Sequence, residues 1–242
     1  REDLNDLAKS NEKVIPIFMS TNTGGAGGFH EGIKRAYNDG ADYVWCMDDD
    51  CIAKKDALEK LYIPLTTTLK NESIGLMASR VEWVDGSICH MNTPVVDRDW
   101  PEYQKIDPNL IRIWSASFVS ILISREAIRL AGYPIKEFFI WYDDCEYTSR
   151  IASFRKCFAV QNSVVVHHTK DNIRPMDFGN ATEDTIWKYA LGVRNETACL
   201  VANKKSGKIY GFLHTLKTTV KCYQESGSVK LWEGLFKAGV WG

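Results

Sequence analysis

Residues 43–50 have the sequence YVWCMDDD, an apolar run that ends directly in three acids. A run of this length, rich in aromatic and β-branched residues, predicts a buried strand. Similar runs at Val14–Met19 and Ile74–Ser79 predict strands before and after it, and helical patterns at Phe29–Asn38 and Ala57–Leu65 separate the three. This alternation predicts an α/β fold, with a mixed, largely parallel sheet flanked by helices.

Beyond residue 80 the pattern is less regular, but turn and capping residues still indicate elements. Asp85-Gly86 is a favoured two-residue turn and predicts a hairpin at Trp83–Cys89. Residues 90–112 have no clear period and are interpreted as a long functional loop. The other predicted elements are a strand at Phe118–Ile123, a helix between Ser124 and Gly132, a helix from Asp143 to Arg155, a strand at Val164–Val166 and helices after Thr182.

The charges of the 242-residue chain are balanced in total but unevenly distributed. The chain has 30 Lys and Arg against 31 Asp and Glu, and 45% of its residues are hydrophobic, which excludes a disordered or collagen-like protein. Residues 203–242 carry seven Lys and two Glu, so the others hold 23 basic and 29 acidic side chains. We therefore predict an acidic domain at 1–200, which does not bind nucleic acid, and a basic amphipathic helical tail at 201–242.

The cysteines and the apolar runs indicate the compartment. Seven Cys, an odd number without C-x-x-C spacing, favour reduced thiols in the cytosol. No apolar run reaches the roughly 18 residues of a membrane span, and the charged start is unlike a signal peptide. In the tail, Lys is interspersed with large apolar residues, which suits a helix lying on the inner face of the cell membrane. A basic helix packed on the acidic domain, or on another subunit of a homo-oligomer, is the alternative.

Residues 23–29, TGGAGGF, lie between a predicted strand and a predicted helix, where α/β folds bind phosphates. The glycines allow a ligand to approach the backbone closely. The ligand-binding residues predicted here are Gly24, Gly25, Ala26, Gly27 and Gly28. A tight structural turn is the alternative.

The acidic triplet predicts a metal site. Asp48 and Asp50 point to the same side of an extended chain, because side chains alternate there. Two carboxylates at the end of a strand suit Mg²⁺ or Mn²⁺, and such a cation stabilises a departing diphosphate. Asp49 is interpreted as an anchor for the loop that the acidic triplet forms. A solvated turn is the alternative.

A second pair of acids, Asp143-Asp144, stands at the start of a predicted helix, beneath aromatic residues. Acids there suit a general base, although the helix dipole alone favours them at that position. His167-His168 follow a β-branched run at another strand end, and a neutral imidazole could complete the metal site begun by Asp50. Because extended geometry turns only one of the two inward, His167 and His168 remain alternatives.

Three segments together resemble family 2 glycosyltransferases: NTGGAGGF at 22–29, WCMDDD at 45–50 and FIWYDDCEY at 139–147. The branch they resemble most is that of the bacterial galactofuranosyltransferase-like and rhamnosyltransferase-like enzymes. The resemblance covers about residues 14–200. It implies a GT-A fold, followed here by a helical appendage, and an inverting, metal-dependent transfer from a nucleotide sugar.

The resemblance also implies roles for individual residues. Asp48, Asp50 and His167 would hold Mn²⁺ or Mg²⁺, with His168 as the alternative to His167. Asp144 would be the catalytic base, and Asp143 beside it would help to hold the acceptor. Apart from the resemblance, Trp83, Trp100, Trp114 and Trp141 are candidates for stacking on sugar rings, of which Trp141 and Trp83 are assigned to the acceptor, and a place in the core is the alternative for each. The glycine loop, Asp48 and Asp49 would contact the donor. Arg194-Asn195 resembles a pair that follows the catalytic domain in many relatives.

Relatives begin with two strands, the second ending in an Asp that contacts the nucleobase, and nothing before Val14 resembles either strand. We therefore expect the domain at 1–200 to be N-terminally incomplete. The preferred donor is UDP-galactofuranose, with dTDP-rhamnose and UDP-hexopyranoses as alternatives. The expected acceptor is a glycan or a polyprenyl-linked sugar in cell-surface polysaccharide synthesis. The rival functions are a non-catalytic module that binds sugar nucleotides or glycans, and a nucleotidyltransferase.

Overall fold

A computed structural model describes residues 2–174, 176–202 and 207–241. Its strands are β1 (Tyr43–Met47), β2 (Cys51–Ala53), β3 (Ile74–Trp83), β4 (Val95–Val96), β5 (Leu110–Ser115), β6 (Ser120–Ser124) and β7 (Lys156–His167). Its α-helices are α1 (Glu2–Ser10), α2 (Gly24–Asn38), α3 (Ala57–Thr66), α4 (Trp100–Gln104), α5 (Arg125–Ala131), α6 (Asp143–Ala152), α7 (Ile186–Ala202), α8 (Gly207–Ser226) and α9 (Val229–Trp241). Short 3₁₀ turns lie at His90–Asn92, Lys136–Phe138 and Phe178–Asn180.

The strands form one mixed sheet in the order β1-β6-β3-β7-β5-β4, with β2 paired to β7. The predicted α/β fold with a mixed sheet is confirmed, but the expectation that the sheet is largely parallel is wrong. Among the described strands, only β3 and β7 pair in parallel, and every other pairing is antiparallel. Hydrophobic periodicity reports that a strand exists and not the direction of its neighbour.

The first predicted strand is also corrected. Residues 14–19 form no strand, and Ile15, Ile17 and Phe18 are exposed. No described strand pairs with this segment, and a strand requires a partner for its backbone groups. The following helix begins at Gly24, so the glycine segment predicted as a loop forms the first turn of α2.

Other predictions are met to different degrees. The hairpin is confirmed, since Glu82 bridges Ile88 and the backbone N–H of Gly86 donates to Trp83. The Ser124 hydroxyl accepts from Ala127 N–H and caps α5, which ends at Gly132 with a φ of 74°. Residues 90–112 are not one loop, because they contain β4, α4 and the start of β5. These elements are too short to give a period in the sequence.

Two apolar clusters pack on the two faces of the sheet. One contains Ile33 of α2 together with Ile121 and Tyr147, and the other contains Leu61 of α3 with Met77 and Phe158. Helices therefore cover both faces, and the strand ends remain at the edges for a site.

The helical appendage predicted at the C-terminus is present. Helices α7, α8 and α9 share a cluster formed by Phe178, Tyr189, Val193, Cys222, Leu231 and Leu235. Lys204 and Lys205 of the predicted tail lie outside the described residues, and the domain boundary at 200 stays a prediction. Among the helices described, none has the length and hydrophobicity needed to cross a bilayer.

Candidate active site

The carboxyl ends of β1, β3 and β7 lie at one edge of the sheet. Strand β6 runs antiparallel to both β1 and β3, and β3 is parallel to β7, so these three strands share one direction. Asp48 follows β1, Trp83 ends β3 and His167 ends β7. Trp83 and His167 are also paired in register.

The short strand β2 brings the acidic triplet to His167. Cys51 pairs with His167, and the backbone N–H of His168 donates to the carbonyl of Asp50 at 2.9 Å. As a result, Asp50 Oδ1 lies 3.1 Å from His167 Nε2. His167 is 4% exposed and faces inward, whereas His168 is exposed. The imidazole nearest the acids is therefore that of His167.

The tautomer of His167 is set by Asn92. The amide oxygen of Asn92 lies 2.7 Å from His167 Nδ1, and an oxygen of this kind can only accept. The amide nitrogen of Asn92 donates to Ser117 Oγ at 3.0 Å, so both ends of the amide have a hydrogen-bond partner. His167 Nδ1 therefore carries a proton, and Nε2, 3.1 Å from Asp50 Oδ1, is the ring nitrogen placed to bind a cation.

These groups fit a divalent cation. Ligand atoms of Asp50, Cys51 and His167 lie within 4.8 Å of one another. Burial and the charges of Asp48 and Asp50 raise the pKa of Cys51 to about 12, which keeps the thiol protonated and leaves the carboxylate and the imidazole as the stronger ligands. Oxygen and imidazole nitrogen are donors that suit Mn²⁺.

Asp48 connects the two acidic motifs. Its pKa is raised to about 6 by burial and then by the negative charges of Asp50, Asp144 and Asp49. Asp48 therefore lies close enough to Asp144, and to the rest of its own triplet, for their charges to act on it. A bound cation would relieve this repulsion.

Asp143 and Asp144 begin helix α6. Asp143 is 7% exposed, and burial followed by the charge of Asp144 raises its pKa to about 7. The pKa of half-buried Asp144 is also raised, mainly by burial, although its Oδ1 accepts from the backbone N–H of Cys145 at 2.7 Å. Because two adjacent carboxylates in a desolvated site resist double ionisation, the pair retains a proton more readily than isolated acids.

The aromatic segment before α6 has a strained backbone. Phe139, Trp141 and Tyr142 have φ values of 65°, 65° and 66°, in the left-handed region that bulky side chains rarely occupy. Such conformations persist only where the surrounding contacts require them.

Those contacts come from α7 and α2. Asn195, fully buried, donates its side-chain amide to the carbonyls of Phe138, Ile140 and Trp141 at 3.0, 3.1 and 2.8 Å. Arg194 donates to the carbonyl of Glu137 at 2.8 Å and to Asn195 Oδ1 at 2.9 Å. These bonds hold the segment that leads into Asp143.

The glycine segment at 24–28 contacts the strained residues before α6. The N–H of Ala26 donates to the carbonyl of Phe139 at 3.1 Å, and a Cβ on Gly24 would lie 2.0 Å from that oxygen. Gly24 also has a φ of 67°, so glycine is required there. A Cβ on Gly27 would collide with Thr23, whereas positions 25 and 28 face open space. A cleft of about 400 Å³ adjoins this segment, lined by residues 17–24 and Gly28.

The remaining predicted residues take different positions. The Trp83 indole donates to the carbonyl of Thr169 at 3.1 Å beside His167. Trp141 packs edge-on against Tyr189 at 5.0 Å, in the cluster of the C-terminal helices. Asp49 is exposed. The acceptor-binding role of the two Trp residues stays a prediction.

Sequence reasoning missed Asn92 and gave Asn195 no role. Asn92 lies in the stretch interpreted as a loop, and no periodicity or spacing connects it to His167. Asn195 carried a signal only through its resemblance, with Arg194, to a pair in relatives. In both cases a buried amide orders a site residue that is distant in sequence.

A family model and several solved structures are similar to this chain. Residues 1–82 match the family model for glycosyl transferase family 2. Among solved structures, GalNAc-T7, crystallised with UDP, GalNAc and Mn²⁺, is similar with a TM-score of 0.62 and 12% identity, over 98% of this chain and 45% of that one. TarS of S. aureus is similar with a TM-score of 0.53 and 10% identity, over 99% of this chain and 47% of that one.

The chain thus spans less than half the length of either structure. No curated protein sequence matches it. The structural neighbours confirm the GT-A-like fold. The family match covers residues 1–82, about a third of the chain.

Proposed function

We propose that the chain is a metal-dependent, inverting glycosyltransferase that moves a sugar from a nucleotide donor to a hydroxyl of its acceptor. One juxtaposition supports the proposal: Asp50 Oδ1 lies 3.1 Å from His167 Nε2, and the charges of Asp50 and Asp144 both act on Asp48, so a group that can bind a cation lies near a group that can accept a proton. The proposed transfer requires this juxtaposition, because the leaving diphosphate and the attacking hydroxyl meet at one carbon.

The metal ligands proposed are Asp48, Asp50 and His167. Support comes from the His167 tautomer that Asn92 selects, and from the family 2 match. When bound, Mn²⁺ or Mg²⁺ would neutralise the diphosphate and stabilise it as a leaving group. GalNAc-T7, which shares the fold, was crystallised with UDP and Mn²⁺, which favours the same chemistry here.

Asp144 is the proposed base. It stands at the N-terminus of α6, where the dipole favours an ionised carboxylate, and it takes the proton of the acceptor hydroxyl. Burial and the charge of Asp144 raise the pKa of Asp143, which favours its protonated form, and a protonated Asp143 can donate a hydrogen bond to the acceptor. The oxygen activated in this way attacks the anomeric carbon from the face opposite the diphosphate.

The donor proposed is UDP-galactofuranose, and the acceptor a glycan or polyprenyl-linked sugar of cell-surface polysaccharide. The support is the resemblance of the segments at 22–29 and 139–147. Open backbone at Gly25 and Gly28, beside the cleft next to α2, would let a donor approach closely. We place this activity in the cytoplasm, at the inner face of the membrane.

A donor panel tests the proposal. The chain, with Mn²⁺ or with EDTA, is incubated with UDP-galactofuranose, dTDP-rhamnose and UDP-hexopyranoses, and release of the nucleoside diphosphate is measured. Metal-dependent release from one donor supports the proposal. Calorimetric binding of UDP without release from any donor contradicts it and favours a non-catalytic binding module.

The base is tested by Asp144→Asn, which keeps the shape of the side chain and removes its basicity. We expect kcat to fall by a factor of about 10² to 10⁴ at saturating donor and acceptor. Glu137→Gln is the control, since this neighbouring acid is exposed. Unchanged kcat in Asp144→Asn would exclude Asp144 as the base.

A further inference from the structure

Helix α8 has the reverse of the usual amphipathic pattern, because its small and polar residues face the protein and its large apolar residues face outward. Its buried residues are small or polar: Gly207, Gly211, Thr215, Thr219 and Cys222. Thr215 bonds Thr197 of α7 at 3.1 Å, and a Cβ on Gly211 would lie 2.5 Å from Val201, so this seam lets α7 and α8 approach closely. The large apolar side chains of α8 consequently face outward.

The outward face is broad and apolar. Its members are Ile209, Phe212, Leu213, Leu216, Val220 and Tyr223, which are 69%, 49%, 56%, 39%, 42% and 49% exposed. On a helix with about 3.6 residues per turn they form one continuous arc. A surface helix normally turns such residues toward the core, so this arc requires an apolar partner outside the described structure.

Lysines border the arc on both sides. Lys208 lies along one border, and Lys217 and Lys221 along the other, in the positions that follow from helical spacing. Within the described ranges, Lys208 and Lys217 form no ion pair, whereas Lys221 lies 3.6 Å from Glu225. Long cationic side chains beside an apolar face can extend to a layer of anionic groups above it.

Helix α9 adds aromatic residues to the same surface. Phe212 lies 6.5 Å from Phe236, and Trp232 stacks on Phe236 at 5.8 Å. Aromatic rings are favoured at the boundary between hydrocarbon and headgroups, where one side of the ring is apolar and the other hydrated.

We propose that α8, with the aromatic residues of α9 beside it, is the surface by which this chain lies on an anionic lipid bilayer. The apolar arc enters the boundary between headgroups and acyl chains, and the bordering lysines contact the lipid phosphates. Charge complementarity favours a bilayer over a second copy of the chain, since two such faces packed together would bring their lysines toward one another.

This surface goes beyond the proposed transfer reaction and is tested without turnover. The chain is floated with vesicles of phosphatidylcholine alone and with vesicles of phosphatidylcholine mixed with phosphatidylglycerol. We expect binding to the mixed vesicles only, and weaker binding as the salt concentration rises. If the chain does not bind the mixed vesicles, the membrane proposal is wrong, whereas the proposed transfer reaction is still tested separately by the release of nucleoside diphosphate.

Two variants separate the two contributions. Lys208→Ala with Lys217→Ala should lower the partition coefficient by about 30-fold, since each lysine near such a surface contributes a factor of about five. Leu213→Ser with Leu216→Ser should lower it by roughly tenfold per leucine. Circular dichroism verifies that each variant is folded. If the variant with both leucines replaced does not fold, the variant with both lysines replaced still tests the proposal.

Matched controls lie elsewhere on the surface. Lys55→Ala with Lys70→Ala, and Leu58→Ser with Ile106→Ser, change exposed residues of the same types outside the C-terminal helices. Equal losses in the controls and in the α8 variants would overturn the proposal. So would a concentration-dependent dimer, seen by sedimentation, that the leucine pair abolishes, because it would assign the face to a second copy.

Discussion

The side-chain amide of Asn195 lies 2.8 Å from the carbonyl oxygen of Trp141 and ties helix α7 to the strained residues before Asp143. The side-chain nitrogen of Asn195 is fully buried and lies within hydrogen-bond distance of three carbonyl oxygens. Residues with positive φ hold their conformation here because the bonds to Asn195 and Arg194 outweigh the strain. Asn195 therefore helps to fix the backbone that leads into Asp143 and Asp144.

We expect Asn195→Ala to lower the free energy of unfolding by about 2 to 3 kcal/mol, because buried carbonyls lose their donor. Urea denaturation measures the loss. Asn71→Ala is the control, since Asn71 is exposed, and it should change stability by less than about 0.5 kcal/mol. If both variants are equally stable, the amide does not restrain the segment.

Gly24 and Gly25 are neighbours with opposite expectations. Gly24→Ala places a Cβ against the Phe139 carbonyl at a residue with positive φ and should destabilise the fold by more than about 2 kcal/mol. Gly25→Ala meets no atom within 4 Å and should stabilise α2 by up to about 1 kcal/mol. Thermal unfolding of the two variants compares them directly, and a similar loss in both would contradict the observed contact.

The same Gly25→Ala variant tests the donor site. If a donor approaches the open backbone there, KM for the donor should rise several-fold while the fold stays at least as stable. Gly40→Ala does not serve as a control, because Gly40 also has a positive φ. Gly32→Ala does, since it lies further along α2 in open space.

Asn92→Ala should weaken Mn²⁺ binding by about 10-fold to 100-fold, since the orientation and tautomer of His167 would no longer be fixed. Isothermal titration calorimetry measures the affinity. Ser117→Ala, which removes only the partner of the Asn92 amide, should have a smaller effect in the same direction. Equal Mn²⁺ affinity in all three proteins would show that Asn92 does not prepare His167.

The raised pKa of Asp143 gives a pH dependence of stability. The folded protein holds this proton up to a pKa of about 7, whereas the unfolded chain releases it near 3.8. Folding therefore binds a proton in this window, so the contribution of Asp143 is present below about pH 4 and is lost as the pH rises toward about 7.

Asp143→Asn should remove that dependence. In EDTA, the variant should gain stability relative to the parent protein between about pH 4 and about pH 7, by up to about 4 kcal/mol. Urea unfolding across this range is the measurement. If the free energy of unfolding depends on pH in the same way in the variant and in the parent protein, Asp143 has the same pKa in the folded and the unfolded chain.

The local order of elements was readable from the sequence. The apolar run at 43–47, the hairpin at Trp83–Cys89 and the cap at Ser124 each depend on neighbours in the chain, and each is found where it was predicted. The loop of the hairpin has three residues, 84–86, where two were predicted, since the N–H of Trp83 donates to the carbonyl of Ser87. The acids at 48–50 and 143–144 were recognisable for the same reason. Their side-chain chemistry is independent of the fold, and they directly follow readable elements.

The tertiary structure decided which of these groups meet. Antiparallel pairing of β6, and of β2 with β7, depends on distant segments, and it is this pairing that brings Asp50 to His167. Asn92 contacts His167 across 75 residues of sequence, and Asn195 contacts Trp141 across 54, through side-chain hydrogen bonds that leave no periodic pattern. The sequence by itself determined the types of most of the longer elements and the chemistry of the acidic motifs, because both are local. Sheet direction, the tautomer of His167 and the outward apolar face of α8 depend on packing, which only the folded chain defines.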